Sequence, residues 1–448
     1  MRLSQSYSDD FHAFYCGGAA VAGGADPYRV EPLRTCEHHN GDIHALPLEE
    51  GAVLPVPLPG YDLAASALFA RLPYGNAALL WQLFLWSSVA VTIICMRRLT
   101  GIPLAVLIAV FLFSDGYISS LIGQIAPTAL AGISFAAWSI SRRRYALSVL
   151  GVTVSLCEPH IGLAPFIAVF ICVPSVRWIL SACAGLLGFL TYETIGFKQA
   201  VEYVHDVLPA HASSEIAHRG QYSLTSFLHF MGVSDSAALF LGALSYAGFV
   251  VIGVIVAYRL RRSLDEEAFL IVIPAAFALL GGVFIHITQM AIALPAGLLL
   301  YSKYPRGLPA LRWGIMLLAV PWSASSDLAY VQLFVALCIA VFSWYFLENA
   351  ALAAQAAIVQ VAAFTGGSFL FHAEHVNDAA TAAHAQFVWK HLAAPSNALS
   401  DNAWSSYVSE VFSRHATLFF FFKIPTLLGS AMIAGQAFFC AGSSKDRL

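Results

Sequence analysis

The stretch Asn76 to Met96, NAALLWQLFLWSSVAVTIICM, runs for 21 residues without a charge, and Arg97 and Arg98 follow it directly. A helix needs about 20 mostly apolar residues to cross the hydrocarbon core of a bilayer. This run meets that length and ends on the basic residues that mark a cytoplasmic boundary. Similar runs recur from Ser236 to Tyr258, Ala268 to Ser302, Leu328 to Leu347, Ala350 to Phe371 and Ile424 to Gly442. The third is too long for one crossing, and His286 with Gln289 near its middle reads as a tight turn between two helices. Shorter apolar runs lie at Ile102 to Ser114, Ile125 to Ser141, Ala146 to Cys157, Ile161 to Val173, Trp178 to Phe197 and Trp313 to Ser325. Short helices at membrane depth are tolerated only against protein or a cavity. The expected fold is an all-α polytopic membrane protein, a single membrane domain over 1–448 with roughly 11–13 transmembrane or half-membrane helices.

Composition agrees. Of 448 residues, 59% are hydrophobic and 11% charged, and the mean hydropathy is +0.72. Soluble domains carry about 25% charged residues, so this chain cannot cover an aqueous surface. Its net charge of −3 argues against a nucleic-acid partner, because phosphate neutralisation needs a basic surface. The eight cysteines form no CxxC pair or metal spacing, and most lie in apolar runs as core residues. Cys16 and Cys36 alone lie in a polar loop, which leaves a disulfide between them open.

Arg97 and Arg98, Arg142 to Arg144, Arg177, Arg259 with Arg261 and Arg262, Lys303 with Arg306 and Arg312, and Lys445 with Arg447 all fall on one side if Ala146 to Val173 is a hairpin. That side is expected to be the cytoplasm. The other side then receives residues 1–74, the turn 115–124, and the loops 198–235 and 372–415, with nearly all the histidines and most carboxylates. Polar residues also collect wherever loops are long, so this asymmetry has a bland explanation beside the functional one. The segment MRLSQSYSDDF holds neither a signal-peptide apolar region nor a spanning helix, yet the layout puts it outside. A first helix upstream of the given start, or a count shifted by one helix, is the expectation.

Few ionisable groups fall in mid-helix, where transporters place their coupling residues. Acids and histidines at the outer ends suit an enzyme acting at the outer leaflet. In SYSDDFHAFYCGGAAVAGGADPY, Ser6 to Tyr28, the adjacent Asp9 and Asp10 precede an aromatic and glycine-rich stretch. A carboxylate held against apolar surroundings is raised toward the range of a general base. The alternative is that Asp9 or Asp10 only caps the following helix, which AGGADPY would end.

The order Asp10, Phe11, Phe14, Tyr15, then Gly23, Pro27 and Tyr28, resembles glycosyltransferase family 87, bacterial mannosyltransferase-like membrane proteins of the GT-C architecture. YDLAASALFARLP at 61–73, GQIAP around Gly123 and Gln124, CEPH around Glu158, and IHITQMAIALP through His286 to Pro295 are similar to later elements of that family. The likeness runs thinly over the first 300 residues or so. It implies an inverting hexosyltransferase of the bacterial inner membrane. The donor would be a polyprenyl-phosphate sugar, with mannose the candidate sugar, and the acceptor a lipid or cell-envelope glycan on the extracytoplasmic face. Membrane lipids are the other partner. Asp10 would be the base, with Asp9 as understudy. Gln124, His160, Arg219 and His286 would face the leaving phosphate, and Glu158 and Tyr15 the acceptor. Glu158 departs from the pattern, since the family usually places a lysine there. Its plainer reading is a buried carboxylate satisfied by a histidine or backbone donors. No cofactor is required; no metal is indicated, although a divalent ion stays open. The alternative function is a transporter or flippase of lipid-linked saccharides.

Two further stretches carry polar residues. KQAVEYVHDVLPAH at 198–211 reads as an interfacial helix, with Val201, Val204 and Leu208 on one face. His205, Asp206, His211 and His218 match no ligand spacing, so they are expected as solvated loop residues. HAEHVNDAATAAH at 372–384 places His372, Glu374, His375 and Asp378 close together without the HExxH spacing. It is expected to be a polar loop that contributes to acceptor specificity.

Overall fold

The computed structural model describes residues 9–40, 53–114, 119–120, 122–218, 220–304, 308–322, 329–349, 395–411 and 416–443, with four positions between 351 and 358. Those residues form helices and no strand. Three short helices come first: α1 (Asp9–Ala22), α2 (Val30–Asn40) and α3 (Gly60–Phe69). The described part of the segment 1–74, read as a loop, thus holds three helices, and Phe11, Phe14 and Tyr15 are buried. Cys16 and Cys36 sit on α1 and α2 rather than in a polar loop, and they form a disulfide. The two helices can run antiparallel because Gly23 and Gly24 end α1 as the AGGADPY reading expected.

Next come α4 (Tyr74–Thr100), α5 (Leu104–Phe113), α6 (Ala126–Ser141), α7 (Tyr145–Ser155) and α8 (Pro159–Cys172). Pro73 precedes α4, and Gly101, at φ 75°, ends it with its N–H on the Arg97 carbonyl. Arg97 and Arg98 thereby occupy the last turn, where cations complement the helix dipole. The α6–α7 pair packs backbone to backbone: a Cβ on Gly132 would stand 2.7 Å from the Gly151 carbonyl oxygen. Small residues permit such close approach where lipid gives no hydrophobic drive between helices.

The chain continues through α9 (Arg177–Glu202), bent at Gly196, then a single π-turn and α10 (Leu208–Ser214). Val201, Val204 and Leu208 are exposed on this stretch, as an interfacial helix requires. After α11 (Leu224–Phe230) and α12 (Asp235–Leu264), α13 (Phe269–Ala278) breaks, and a 3₁₀ turn from Ile287 leads into α14 (Leu294–Lys303). The turn expected near His286 is therefore present. Helices α15 (Pro309–Ala319), α16 (Ala329–Leu347), α17 (Ser400–Val411) and α18 (Ala416–Ser443) complete the described chain. Four helical stretches are long and apolar enough to cross a membrane: Tyr74–Thr100, Pro174–Ser214, Asp235–Leu264 and Lys423–Gly442. Six shorter apolar helices accompany them, and Trp178, Phe189, Phe197 and Phe240 stay exposed. Exposed aromatic and aliphatic faces of this extent belong in lipid. The protein is an all-α polytopic membrane protein.

Arg98, Arg144, Arg261 and Lys303 gather at one end. Arg98 and Arg144 both lie over the Trp138 ring. Arg261 donates to the Cys172 carbonyl and to Glu267, which also accepts from the Tyr145 hydroxyl. Lys303 pairs with Glu266 at 3.0 Å. Helix α4 runs from this end to the aromatic cluster of Phe11, Tyr74 and Trp81, so α1 sits at the opposite end.

Candidate active site

Asp10 stands in the first turn of α1, where the helix dipole favours a carboxylate. Gln124 Nε2 donates to Asp10 Oδ2 at 3.1 Å. The glycine before Gln124 makes this contact geometrically feasible. Gly123 has φ 82°, and a Cβ there would meet the Phe11 Cβ at 2.7 Å. Its carbonyl accepts from Trp81 Nε1 at 2.7 Å. The Gly-Gln turn is thus clamped between α1 and α4, and the two residues read as base and donor-binding group meet. Asp9 opens α1, but its side chain lies outside the described residues, as does Arg219. Tyr15 is buried and donates its hydroxyl to the Leu72 carbonyl at 2.9 Å; it braces α1 against the turn between α3 and α4.

Glu158 precedes α8 at the apex of the α7–α8 hairpin and is buried. Its partner is Gln289, whose Nε2 donates to Oε2 at 3.0 Å, while His160 Nδ1 stands further off at 3.7 Å. The hydrogen-bond donor is therefore a side-chain amide from the break after α13, while the expected histidine stands at ion-pair distance. Burial pushes the Glu158 carboxyl up to about 7, with the Gln289 hydrogen bond pulling the other way. The same Gln289 accepts from the His286 backbone N–H at 2.8 Å, so one residue ties Glu158 to His286.

Phe284 links the histidines. Its ring lies 4.5 Å from that of His211, 4.7 Å from His286 and 6.1 Å from His160. His211 stands near enough to Asp10 for their charges to interact. Its Nδ1 lies 2.8 Å from Asp401 Oδ1 on α17, and both side chains are buried. The expectation of solvated loop residues fails for His211. It fails for His218 as well, whose ring stacks on that of His286 at 5.5 Å and whose side chain is only 16% exposed. The reason is tertiary: α17 and the break before α14 cover this loop. His205 and Asp206 do face solvent.

Glu215, Gln289, Phe284, Asp401 and Trp404 are the site residues that the sequence reading missed or left without a role. Glu215 is 4% exposed, and its Oε1 accepts from Trp404 Nε1. Its Oε2 lies 3.2 Å from His218 Nδ1 and 3.3 Å from His286 Nε2. Burial raises the Glu215 pKa, but His218, His286 and His211 outweigh it and hold the carboxylate well below its ordinary range. Among the described residues, Glu215, His218 and His286 form the group whose atoms could share one metal ion. The stretch 372–384 lies outside the described residues.

A polytopic helical membrane protein with an acid, amides and imidazoles gathered at the end opposite Arg98, Arg144, Arg261 and Lys303 is the class that fold and site define. Residues 61–281 match the family model of glycosyltransferase family 87, the family that the sequence resembles, and that match supports a membrane glycosyltransferase. The matched span contains Gln124, Glu158, His160, His211 and Glu215; Asp10 and His286 lie outside it. No curated protein and no solved structure matches the chain.

Proposed function

We propose that the protein is an inverting GT-C-type hexosyltransferase of a bacterial inner membrane. It moves a hexose, with mannose the candidate, from a polyprenyl-phosphate donor to a lipid or cell-envelope glycan acceptor on the extracytoplasmic face. The observation that carries this reading is the Asp10–Gln124 contact beside the Phe284 histidine group. A base and neutral or cationic donors then stand at one end of the bundle. Asp10 takes the acceptor hydroxyl proton as that oxygen attacks the anomeric carbon. The bond to polyprenyl phosphate breaks from the opposite face, which inverts the configuration. Gln124, His160, His286 and Arg219 are the groups to receive the departing phosphate charge. Asp9 stands beside the base, and Glu158 and Tyr15 serve the acceptor side.

Two features support the extracytoplasmic placement. The Cys16–Cys36 disulfide belongs in an oxidising compartment, and the clustered arginines at the other end belong in the cytoplasm. In membranes supplied with radiolabelled polyprenyl-phosphate mannose and envelope lipid, Asp10→Asn should lower transfer by about 10²–10⁴-fold, the range for a lost general base. Full activity of the variant would sink the assignment. Movement of labelled lipid across liposomes without a new glycosidic bond would favour transport instead.

A further inference from the structure

Glu215 caps the end of α10 and opens the turn after it, and His218 follows three residues later. His286 reaches the same place from the break between α13 and the 3₁₀ turn, 68 residues along the chain. Two backbone hydrogen bonds lock the segments together: the Tyr222 N–H to the Ile285 carbonyl at 2.6 Å, and the Ile287 N–H to the Gly220 carbonyl at 2.9 Å. The three side chains are thus held in register by backbone rather than by one another.

Their geometry is that of ligands without their ion. Glu215 Oε2 lies 3.2 Å from one imidazole nitrogen and 3.3 Å from the other. Bonds of about 2.0–2.1 Å in a tetrahedral zinc site place neighbouring ligand atoms about 3.3 Å apart. Glu215 Oε2 and His286 Nε2 are both shut away from solvent, and the atoms within reach of them are each other and, for Oε2, His218 Nδ1. Such atoms carry a cost unless something satisfies them. The Gly220 N–H points at His218 Nδ1 at 3.2 Å, which marks that nitrogen as carrying a lone pair. A cation between that nitrogen and the carboxylate oxygen binds both, as an imidazolium proton otherwise would. The other Glu215 oxygen accepts from Trp404 Nε1, the kind of outer hydrogen bond that orients a ligating carboxylate.

We propose that Glu215, His218 and His286 bind one divalent transition-metal ion of the zinc class. Two imidazoles and a carboxylate suit zinc among the first-row metals and leave a coordination position open, as in sites where an outside molecule also binds. The proposal concerns binding alone and stands whether or not the transferase reading holds.

The test uses the full-length protein in detergent, purified through a tag that contains no histidine and stripped with a chelator. Co²⁺ is titrated in and followed by its visible d–d absorption, then displaced with Zn²⁺. The expected result is one tight site per chain. His218→Ala and His286→Gln should each weaken it by about 100-fold or more, and Trp404→Phe by about 10–100-fold. His205→Ala, at an exposed histidine away from the cluster, should leave it unchanged. The proposal is overturned if the wild type takes up no Co²⁺ tightly. It is equally overturned if His286→Gln and Trp404→Phe, eluting and melting as the wild type does, bind Co²⁺ with undiminished affinity. These two conservative changes carry the test should His218→Ala not fold.

Discussion

Replacing Glu158 by glutamine isolates the cost of a single buried carboxylate. Glu158 is 6% exposed, and burial pushes its pKa from 4.5 up to about 7 against the pull of the Gln289 hydrogen bond. His160 stands 3.7 Å away, and Asp62 on α3 lies within reach of its charge. Between those two pKa values the folded protein holds a proton that the unfolded chain has released, so stability falls as pH rises through the window. The contribution is full below the unfolded value and gone above about 7. The rise from 4.5 to about 7, at about 1.36 kcal/mol for each tenfold change in proton affinity, is about 3 kcal/mol. Glutamine keeps an oxygen for the Gln289 amide and removes the titration. Relative to the wild type, Glu158→Gln should therefore gain stability steadily with pH, up to about 3 kcal/mol above pH 7 or so, with no gain near pH 4.5. The assay is the unfolding midpoint of both proteins in the same micelles across that range. Parallel pH profiles would refute the reasoning, because Glu158 would then have the same proton affinity in the folded and unfolded chains, and a gain confined to acid would refute it too, because the folded pKa would then lie below the unfolded one.

Gly123→Ala should lose both stability and transfer activity. The φ of 82° costs a side-chain residue about 1–2 kcal/mol, and the 2.7 Å contact with the Phe11 Cβ adds about 1–3 kcal/mol of overpacking while pushing Asp10 off Gln124. Wild-type melting and transfer rates would show that the turn does not set this contact. Cys16→Ser or Cys36→Ser should lower stability by about 3 kcal/mol, the chain-entropy value for a separation of 20 residues. Reductant should lower the wild-type midpoint to that of the variants; a midpoint that ignores reductant would mean that the bond does not constrain the fold.

Much of the architecture was legible because a bilayer imposes a length and a polarity on every crossing element. The Asn76 to Met96 run matches α4 within a few residues at each end, and the polar pair His286 and Gln289 located the break in the long apolar run. Charge bias separated the basic end from the other, and the contacts of Arg98, Arg144, Arg261 and Lys303 bear this out. Gln124 was singled out through family likeness rather than periodicity, and its place beside Asp10 comes from the structure. The first 74 residues were harder. Short amphipathic helices packed on a bundle have no spanning length, so they read as loop until α1 is seen seated on α3, with Gly18 placed where a Cβ would fall 2.4 Å from the Ser66 backbone.

Composition and hydropathy alone determined that this chain lives in a membrane, roughly where its helices lie and at which end its basic residues sit, because each of those is a property of a local stretch. Only the tertiary structure decided which polar residues meet. His211 finds Asp401 across 190 residues, and Glu158 finds Gln289 across 131. Glu215 gathers His218 from the same turn and His286 from another. A buried polar group requires a partner, yet nothing in its own neighbourhood says from where in the chain the partner will come. Helix packing chooses the partner, and the site exists only once that choice is made.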